Sequence, residues 1–197
     1  SIMSTIGAAL GSFHSRMQIK SINSELQKLS QRDFMTGLFN RRGFFEKLER
    51  RISNDSNIGT SLIIISADLD GLKYINDNFG HAEGDNAIIT VGRALFASSI
   101  QNEICARFGG DEFCTAVLIR DCPAEKFYEE FKSRFFEYLC DYNAKSNKPY
   151  SINASIGYFS APVSKDFNID EIIRLADEKM YSFKQSRKHK QNDTMST

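Results

Sequence analysis

The sequence predicts an α/β domain of the ferredoxin-like or palm type, in which helices flank a sheet that contains antiparallel strands. Its periodic segments follow the order β-α-α-β-β-α-β-α, which contains the β-α-β-β-α-β plan of that fold. A Gly-Gly pair separates two of the strand segments, which is typical of a hairpin. The 197 residues, 41% of them hydrophobic, are enough for one sizeable core and an appendage.

Composition argues against several classes of protein. Lys+Arg and Asp+Glu both number 25, whereas a nucleic-acid or anionic-membrane binder should be basic. The four cysteines show no C-x-x-C spacing and do not group with the three histidines, which favours reduced structural cysteines in a cytoplasmic protein. The uncharged stretch 1–13 is too short to cross a bilayer, which needs about 20 apolar residues. We therefore expect neither nucleic-acid binding nor direct membrane insertion.

Residues 1–32 are predicted to form an N-terminal linker or signalling helix. Two apolar stripes have helical spacing but do not share one register, so a continuous coiled coil is not predicted; they consist of Ile6, Leu10, Phe13 and Met17, then Ile19, Ile22, Leu26 and Leu29. The first stripe is typical of the last helix of an upstream sensory domain, and the second of a short dimerising helix. A helix folded back on its own domain is the alternative. Because the chain begins at Ser1, we expect it to be part of a longer protein.

The main domain is expected over residues 33–190, followed by a flexible tail at 191–197. Asn40 is suited to cap a helix that extends to residue 52. The continuous apolar run 61–67 indicates a strand buried on both faces. A short helix at 72–79 can end at a glycine, and Asp85 is expected to cap the next helix, which extends to about residue 98.

The second half of the domain begins with the predicted hairpin. Its strands are expected at 104–108 and 112–119. A long helix follows at 123–139, with phenylalanines at i+4 steps along one face. A strand at 151–158 and a helix from 169 to about 186 complete the series.

The predicted topology brings two acidic segments together. In the ferredoxin-like plan the first two strands run parallel and the third lies between them, antiparallel. The end of the first strand, at Asp68, and the hairpin turn, at Gly109 to Asp111, then lie on the same edge of the sheet. Two segments far apart in sequence therefore become neighbours.

The residue types at that edge suit a divalent cation. Asp68, Asp70, Asp111 and Glu112 offer the oxygen ligands that Mg²⁺ prefers. A pair of such ions can activate a hydroxyl and stabilise in-line displacement at phosphorus. Glycines at the turn leave room for a substrate near the backbone. The alternative is that these are ordinary carboxylates at a strand end, beside an ordinary hairpin turn.

Six segments in this order resemble the GGDEF family of diguanylate cyclases. They are DFMTGLFNRR at 33–42, DLDGLKYIND at 68–77 with GH at 80–81 and GD at 84–85, RF at 107–108, GGDEF at 109–113, SIG at 155–157, and ADEKMYSFK at 176–184. The resemblance covers most of the chain beyond residue 32. It implies an enzyme that condenses two GTP into cyclic di-GMP and two pyrophosphates, with Mg²⁺ or Mn²⁺, at the interface of a homodimer controlled by an upstream sensory domain.

The resemblance also implies roles for individual residues. Asp68, the Leu69 carbonyl and Asp111 would hold the metals, and Glu112 is a candidate proton acceptor. The nucleotide would be bound by a larger set: Asn76 and Asp85 on guanine, His81 beside it, Met35, Leu72 and Ile88 as the apolar wall, and the backbone at Leu72 and Lys73 with the side chains of Lys184 and Lys188 on the phosphates. Structural alternatives remain for several of these, such as a helix end for His81, a surface position for Asn76 and a solvated basic helix end for Lys184 and Lys188.

The sequence departs from the family pattern at two places. Lys188 stands where the family has a phosphate-binding Arg, and Lys lacks the bidentate guanidinium; Arg187 is the alternative contact. The inhibitory Arg-x-x-Asp motif is replaced by Ile100 and Glu103, so we expect no inhibitory site. A catalytically silent GTP-binding sensor or dimerisation module, and a cyclase that uses ATP, are the competing interpretations; intact acidic residues argue against the first and Asp85 against the second.

Overall fold

The computed structural model describes residues 31–54, 57, 59–99, 102–164 and 168–194, with only the backbone described beyond residue 186. The chain divides between Gln31 and Arg32, and the description concerns the second unit. Residues 1–30 of the helix predicted for 1–32, and the last three residues of the predicted tail, lie outside the described residues. Ile100, at the expected lost inhibitory site, also lies outside them.

Ten elements follow one another along the described chain. They are β1 (Phe39–Asn40), α1 (Arg41–Ile52), β2 (Ser61–Asp70), α2 (Leu72–Phe79), α3 (His81–Ser98), β3 (Ile104–Gly109), β4 (Glu112–Ile119), α4 (Ala124–Lys145), β5 (Asn153–Pro162) and α5 (Ile169–Thr194). The sheet order is β1-β3-β4-β2-β5. β4 lies between β2 and β3 and is antiparallel to both, whereas β1 pairs parallel with β3. The predicted ferredoxin-like fold is confirmed, with β1 as an addition.

Helices cover both faces of the sheet because β2 is apolar on both. Ile63 and Ile65 pack into a core that includes residues of α3 and α4. Leu62 and Ile64 pack into a second core, with residues of α1 and α5. All four side chains have no exposed surface, and full burial of such a side chain contributes about 1.5–3 kcal/mol. This two-sided burial holds the end of β2 in a fixed place.

The start of α3 differs from the prediction. Asn40 caps α1 as expected, accepting a hydrogen bond from the Gly43 N–H at 2.9 Å. The expected cap at Asp85 is wrong, because α3 begins at His81 and Asp85 lies inside it. Gly80 separates α2 from α3 with φ of 89°, a conformation open to glycine. The sharp turn lets a new helix begin at once, so no capping side chain is used.

Several elements are longer than the sequence pattern indicated. α4 continues to Lys145, because Tyr142 and Asn143 in its last turns make hydrogen bonds to residues outside the helix. β2 reaches Asp70 because its last residues pair with the start of β5. α5 continues to Thr194, beyond the expected end near residue 186. All four cysteines are free, and no helix of the described ranges is long and apolar enough to span a bilayer.

Candidate active site

The two acidic segments lie together at one edge of the sheet. Asp68 is paired in register with Glu112 on β4 and with Ser155 on β5. The Leu69 N–H donates a hydrogen bond to the Asp111 carbonyl at 3.0 Å, which fixes the end of β2 against the β3–β4 turn. The proximity predicted from topology is therefore present, with Asp68 and Asp111 on neighbouring strands of backbone.

Hydrogen bonds from the Arg107 side chain stabilise the turn that carries Asp111. Gly109 and Gly110 have φ of 151° and 51°, and the second value lies in the left-handed region that glycine adopts most easily. Arg107 donates to the Gly110 carbonyl through Nε at 3.0 Å and Nη2 at 2.8 Å. Its Nη1 also pairs with Asp33 at 3.3 Å, and both side chains are nearly buried. Asp33 in turn accepts hydrogen bonds from the N–H and hydroxyl of Thr36.

Lys184 approaches the same edge from α5. Its Nζ forms an ion pair with Asp68 and lies 3.5 Å from Asp70 Oδ1. The Ser155 hydroxyl donates to the Asp70 carboxylate at 3.0 Å. α5 can come this close because Gly157 has no side chain: a Cβ there would lie 2.2 Å from the backbone nitrogen of Met180. The contact of Lys184 with the strand-end carboxylates was not part of the sequence prediction.

Burial and like charges oppose ionisation of the edge carboxylates. Burial raises the pKa of Asp68, as do Asp111 and Asp70, although the hydrogen bond and charge of Lys184 act in the other direction. Burial also raises the pKa of Glu112, with additional repulsion from Asp111 and from Asp177 on α5. Burial alone would lower the pKa of Lys184, but its contacts with Asp68 and Asp70 raise it. Four carboxyl groups therefore share this edge, and Lys184 pairs with two of them, Asp68 and Asp70.

An oxygen-only donor set with excess negative charge fits a hard divalent cation. Asp68 and Asp111 supply carboxylates, and the Leu69 main chain supplies a carbonyl. In the described part of the chain, no three Asp, Glu, His or Cys side chains converge as ready metal ligands. Any cation here would therefore need the Leu69 carbonyl, water or substrate oxygens to complete its ligand set, which is the usual habit of Mg²⁺.

The first turn of α2 offers backbone donors beside the carboxylates. Gly71 precedes the helix with φ of 73° and provides no side-chain cap, so the N–H groups of Leu72 and Lys73 have no partner within the helix. Free N–H groups at a helix start suit phosphate oxygens. An open cleft of about 590 Å³ adjoins this turn, and its lining includes Asp70, Gly71, Ser155 and Lys184.

The other predicted nucleotide residues fall into two groups. Met35 and Leu72 are partly buried and pack against the core cluster that includes Ile88, so the three expected wall residues share one apolar region. The remaining three lie at the α2–α3 corner: Asn76 is partly buried, whereas His81 and Asp85 are exposed. The Lys188 side chain lies outside the described part of the structure.

Sequence reasoning missed the contacts that support the site. Arg107, Asp33 and Ser155 were noted only as parts of motifs, without a partner. The pairing of Arg107 with Asp33 joins positions 74 residues apart, and that of Ser155 with Asp70 joins positions 85 apart. An Arg two residues before a Gly-Gly turn was the available signal for the first.

Comparisons with a family profile and with curated proteins both find similarity to diguanylate cyclases. Residues 30–190 match the profile of the diguanylate cyclase GGDEF domain. The chain is 33% identical over 180 residues to the diguanylate cyclase DgcP of Escherichia coli K12, covering 88% of this chain and 49% of DgcP. It is 31% identical over 157 residues to the probable diguanylate cyclase DgcJ of the same organism, covering 79% of this chain and 29% of DgcJ.

A solved structure shows the same fold. A sensory box/GGDEF family protein from Caulobacter crescentus CB15 superposes with a TM-score of 0.66 at 28% identity, covering 80% of this chain and 99% of that one. The chain spans half or less of the length of the two curated relatives named above.

Proposed function

The chain belongs to the GGDEF domain family of diguanylate cyclases, and from this membership we propose that it condenses two GTP molecules into cyclic di-GMP and two pyrophosphates. The observation that carries the proposal is the edge of the sheet where Lys184 pairs with Asp68 and the Asp111 backbone bonds to Leu69, beside the N–H groups at the start of α2. Binding a triphosphate requires cations and hydrogen-bond donors. Carboxylates at this edge could hold a cation, and the N–H groups of α2 could donate to phosphate oxygens.

The chain's own residues would hold the phosphates in place. Asp68, the Leu69 carbonyl and Asp111 would bind Mg²⁺, or Mn²⁺ in its place. The cation supplies charge neutralisation on the reacting phosphate and lowers the pKa of the attacking hydroxyl. The N–H groups of Leu72 and Lys73 and the side chain of Lys184 would hold phosphate oxygens; Lys188 would extend this contact along α5.

Glu112 is the candidate proton acceptor in this proposal. Each bond of the product forms when a ribose 3′-oxygen attacks an α-phosphorus and pyrophosphate leaves, so one proton must be removed from the hydroxyl. Burial and the neighbouring acids raise the pKa of Glu112, which makes its carboxylate a stronger proton acceptor. Glu112 is adjacent to Asp111 and in register with Asp68, so the acceptor would stand beside the metal ligands.

Guanine would be read by the α2–α3 corner. Its Watson–Crick edge presents two adjacent N–H donors, which a carboxylate such as Asp85 can accept together; adenine lacks this pair. Asn76 would add a further contact, with His81 beside the base and Met35, Leu72 and Ile88 as the apolar wall.

The reaction requires two nucleotides in opposed positions, and one domain offers one such edge. We therefore propose that two copies of the domain face each other in catalysis, under the control of an upstream sensory domain of a longer protein. Because GTP is a cytoplasmic nucleotide, we expect such a domain to act in the cytoplasm. The proposed domain is 33–190, with 1–32 as a linker or signalling helix and 191–197 as a tail.

A GTP-binding domain without turnover is the second candidate. It is favoured by Lys188, which stands where the family has an Arg and cannot offer two parallel hydrogen bonds to phosphate. Binding and turnover must therefore be measured separately.

Pyrophosphate release from GTP with Mg²⁺ tests the proposal. Asp111→Asn should lower the rate at least about a hundredfold, since it removes a charged ligand at the reacting phosphates. Asp141→Asn is the matched control: the same chemical change at an exposed α4 residue paired with Lys145, which should leave the rate unchanged. Full activity of Asp111→Asn would contradict the metal assignment, and GTP binding without release would favour the silent module.

A further inference from the structure

The first turn of α3 lies directly against the Asn76 side chain. A Cβ at Gly84 would approach Asn76 Oδ1 to 1.9 Å and Leu72 Cδ1 to 3.2 Å. The Asn76 amide therefore rests on the α3 backbone, in space that any larger residue would fill. Asp85 is the next residue of the same turn. The geometry between Asn76 and Asp85 is thus set by where the first turn of α3 lies.

Residues 146–152, which we name the strap, connect α4 with β5 near that turn. The Asn143 side chain closes the strap, because it donates to the Ile152 carbonyl at 2.9 Å and accepts from the Ile152 N–H at 2.8 Å. Asn147 adopts a left-handed φ of 49°, which helps to bend the chain. The strap is therefore a closed loop with a fixed backbone at its ends.

The strap holds the α2–α3 corner through Glu83. Lys148 Nζ lies 2.7 Å from both carboxylate oxygens of Glu83, and the Tyr150 hydroxyl donates a hydrogen bond to Glu83 Oε2. The Tyr150 ring also packs on Phe79, the last residue of α2, with centroids 4.9 Å apart. Lys148 is exposed and Glu83 is partly buried, so the ion pair lies at the surface and Glu83 is held by two partners from the strap rather than by one.

We propose that the strap determines guanine specificity without touching the base. Tyr150 and Lys148 hold Glu83, and Glu83 fixes the position of the first turn of α3. Because Gly84 in that turn contacts the Asn76 side chain, the turn also sets the distance between Asn76 and Asp85. Glu83, Gly84, Lys148 and Tyr150 are positioning residues, and the ligand they serve is a guanine nucleotide. The inference rests on the proposed use of GTP by this site.

Loss of the Tyr150 hydroxyl is the cleanest perturbation. Tyr150→Phe removes the hydroxyl contacts with Glu83 and Asn86, both on α3, and keeps the ring on Phe79. Binding is measured by calorimetry with GTP and ATP analogues whose α–β bridging oxygen is a methylene, so that neither can release pyrophosphate. We expect the affinity for the guanine analogue to fall about three- to tenfold more than that for the adenine analogue, the size of coupling typical of residues that act on a site indirectly. Tyr150 also lines the cleft beside Gly71 and Lys184, and an effect on the triphosphate there would be the same for both analogues.

Tyr128→Phe is the matched control. Tyr128 donates its hydroxyl to the Ile156 carbonyl at 3.2 Å, away from the corner, so its loss should leave the ratio of affinities unchanged. Gly84→Ala is a second variant with a separate prediction. Ala is the better helix former, but its Cβ displaces the Asn76 amide, so guanine affinity should fall with no loss of helical structure.

The outcomes separate this inference from the proposed function. The inference would be overturned if Tyr150→Phe lowered the affinity for both analogues equally. It would also be overturned if the affinity for the guanine analogue stayed unchanged in Tyr150→Phe or in Gly84→Ala. A wild-type protein that binds the two analogues equally would overturn it as well. Because the readout is binding, a protein that prefers the guanine analogue and loses this preference on both substitutions supports the inference even if no cyclic product is formed.

Discussion

Burial and like charge make the carboxylates at the sheet edge unfavourable for stability. Asp68, Asp111 and Glu112 lie close together, and burial with mutual repulsion raises the pKa of Asp68 and of Glu112. Lys184 pairs with Asp68 and Asp70 and offsets part of this charge. A metal-free domain therefore carries an unfavourable interaction that a divalent cation would relieve.

Glu112→Gln should stabilise the metal-free protein. The variant removes repulsion from Asp111, Asp177 and Asp68 while keeping the shape of the side chain. Neighbouring residues shield part of the Glu112 carboxyl group, but the residue as a whole is exposed and solvent screens its charge. We therefore expect a gain of about 0.5 kcal/mol in the free energy of unfolding. Urea denaturation in the presence of a chelator measures it. Glu129→Gln, which removes an attractive exposed pair with Lys132, should show no gain.

The advantage of Glu112→Gln should depend on pH with a definite sign. Below the ordinary glutamate pKa, about 4.3, residue 112 is protonated in both folded and unfolded wild type and the two proteins should be equally stable. As pH rises through the raised folded-state pKa, the unfolded chain releases its proton first, so the wild type loses stability. A stabilisation that grew as pH fell would contradict this origin.

The sequence was enough to predict which acidic residues lie at the sheet edge, but not which side chains they and their neighbours contact. The meeting of Asp68 and Asp111 followed from strand order alone. The contacts of Arg107 with Asp33 and of Ser155 with Asp70 depend on side chains from distant segments. No local pattern records which polar side chains will meet once the sheet has formed.

At the scale of elements, α5 is seated on β5 by one glycine. A Cβ at Gly157 would lie 2.2 Å from Met180 N and 2.5 Å from Met180 Cα, both backbone atoms that cannot rotate away. Lys184, one turn further along α5, depends on this seating for its contact with Asp68.

Gly157→Ala should therefore damage stability and activity together. We expect a loss of about 1–3 kcal/mol in the free energy of unfolding, as for other overpacked interfaces, with a fall in turnover because Lys184 moves away from the edge. Thermal unfolding and pyrophosphate release measure the two effects. Unchanged stability would show that α5 does not need this close approach.

The helix boundaries show where local sequence signals fail. Asn40 was predicted as a cap and is one, since nothing competes for its position. Asp85 has an equally good capping side chain, but the cap of α3 is Gly80, five residues earlier. Packing of the Asn76 side chain against Gly84 favours the earlier start of the helix. Helix propensities do not include such tertiary contacts.

At the scale of the whole molecule, strand order was predictable from the order of elements. The β-α-β-β-α-β plan placed β4 between β2 and β3, as observed. β1 was missed because it has only two residues, Phe39 and Asn40, and its pairing with β3 is non-local. Periodicity needs more residues than that to indicate a strand.

The proposed chemistry also requires two copies of the domain. Specific activity should therefore rise with protein concentration until the dimer is saturated, and fusion to a strong parallel coiled coil should raise activity at low concentration. Initial rates over a wide range of enzyme concentration, with sedimentation under the same conditions, check this. A constant specific activity in a proven monomer would be incompatible with two opposed nucleotides.

Identification of the product of GTP turnover tests the central claim most directly. The protein is incubated with GTP and Mg²⁺, and the nucleotides are separated by chromatography and identified by mass, with Asp111→Asn as the control. The account predicts cyclic di-GMP, with two pyrophosphates released for each molecule formed and none of either from the variant. Bound but unchanged GTP, or hydrolysis to GDP or GMP without a cyclic product, would contradict it.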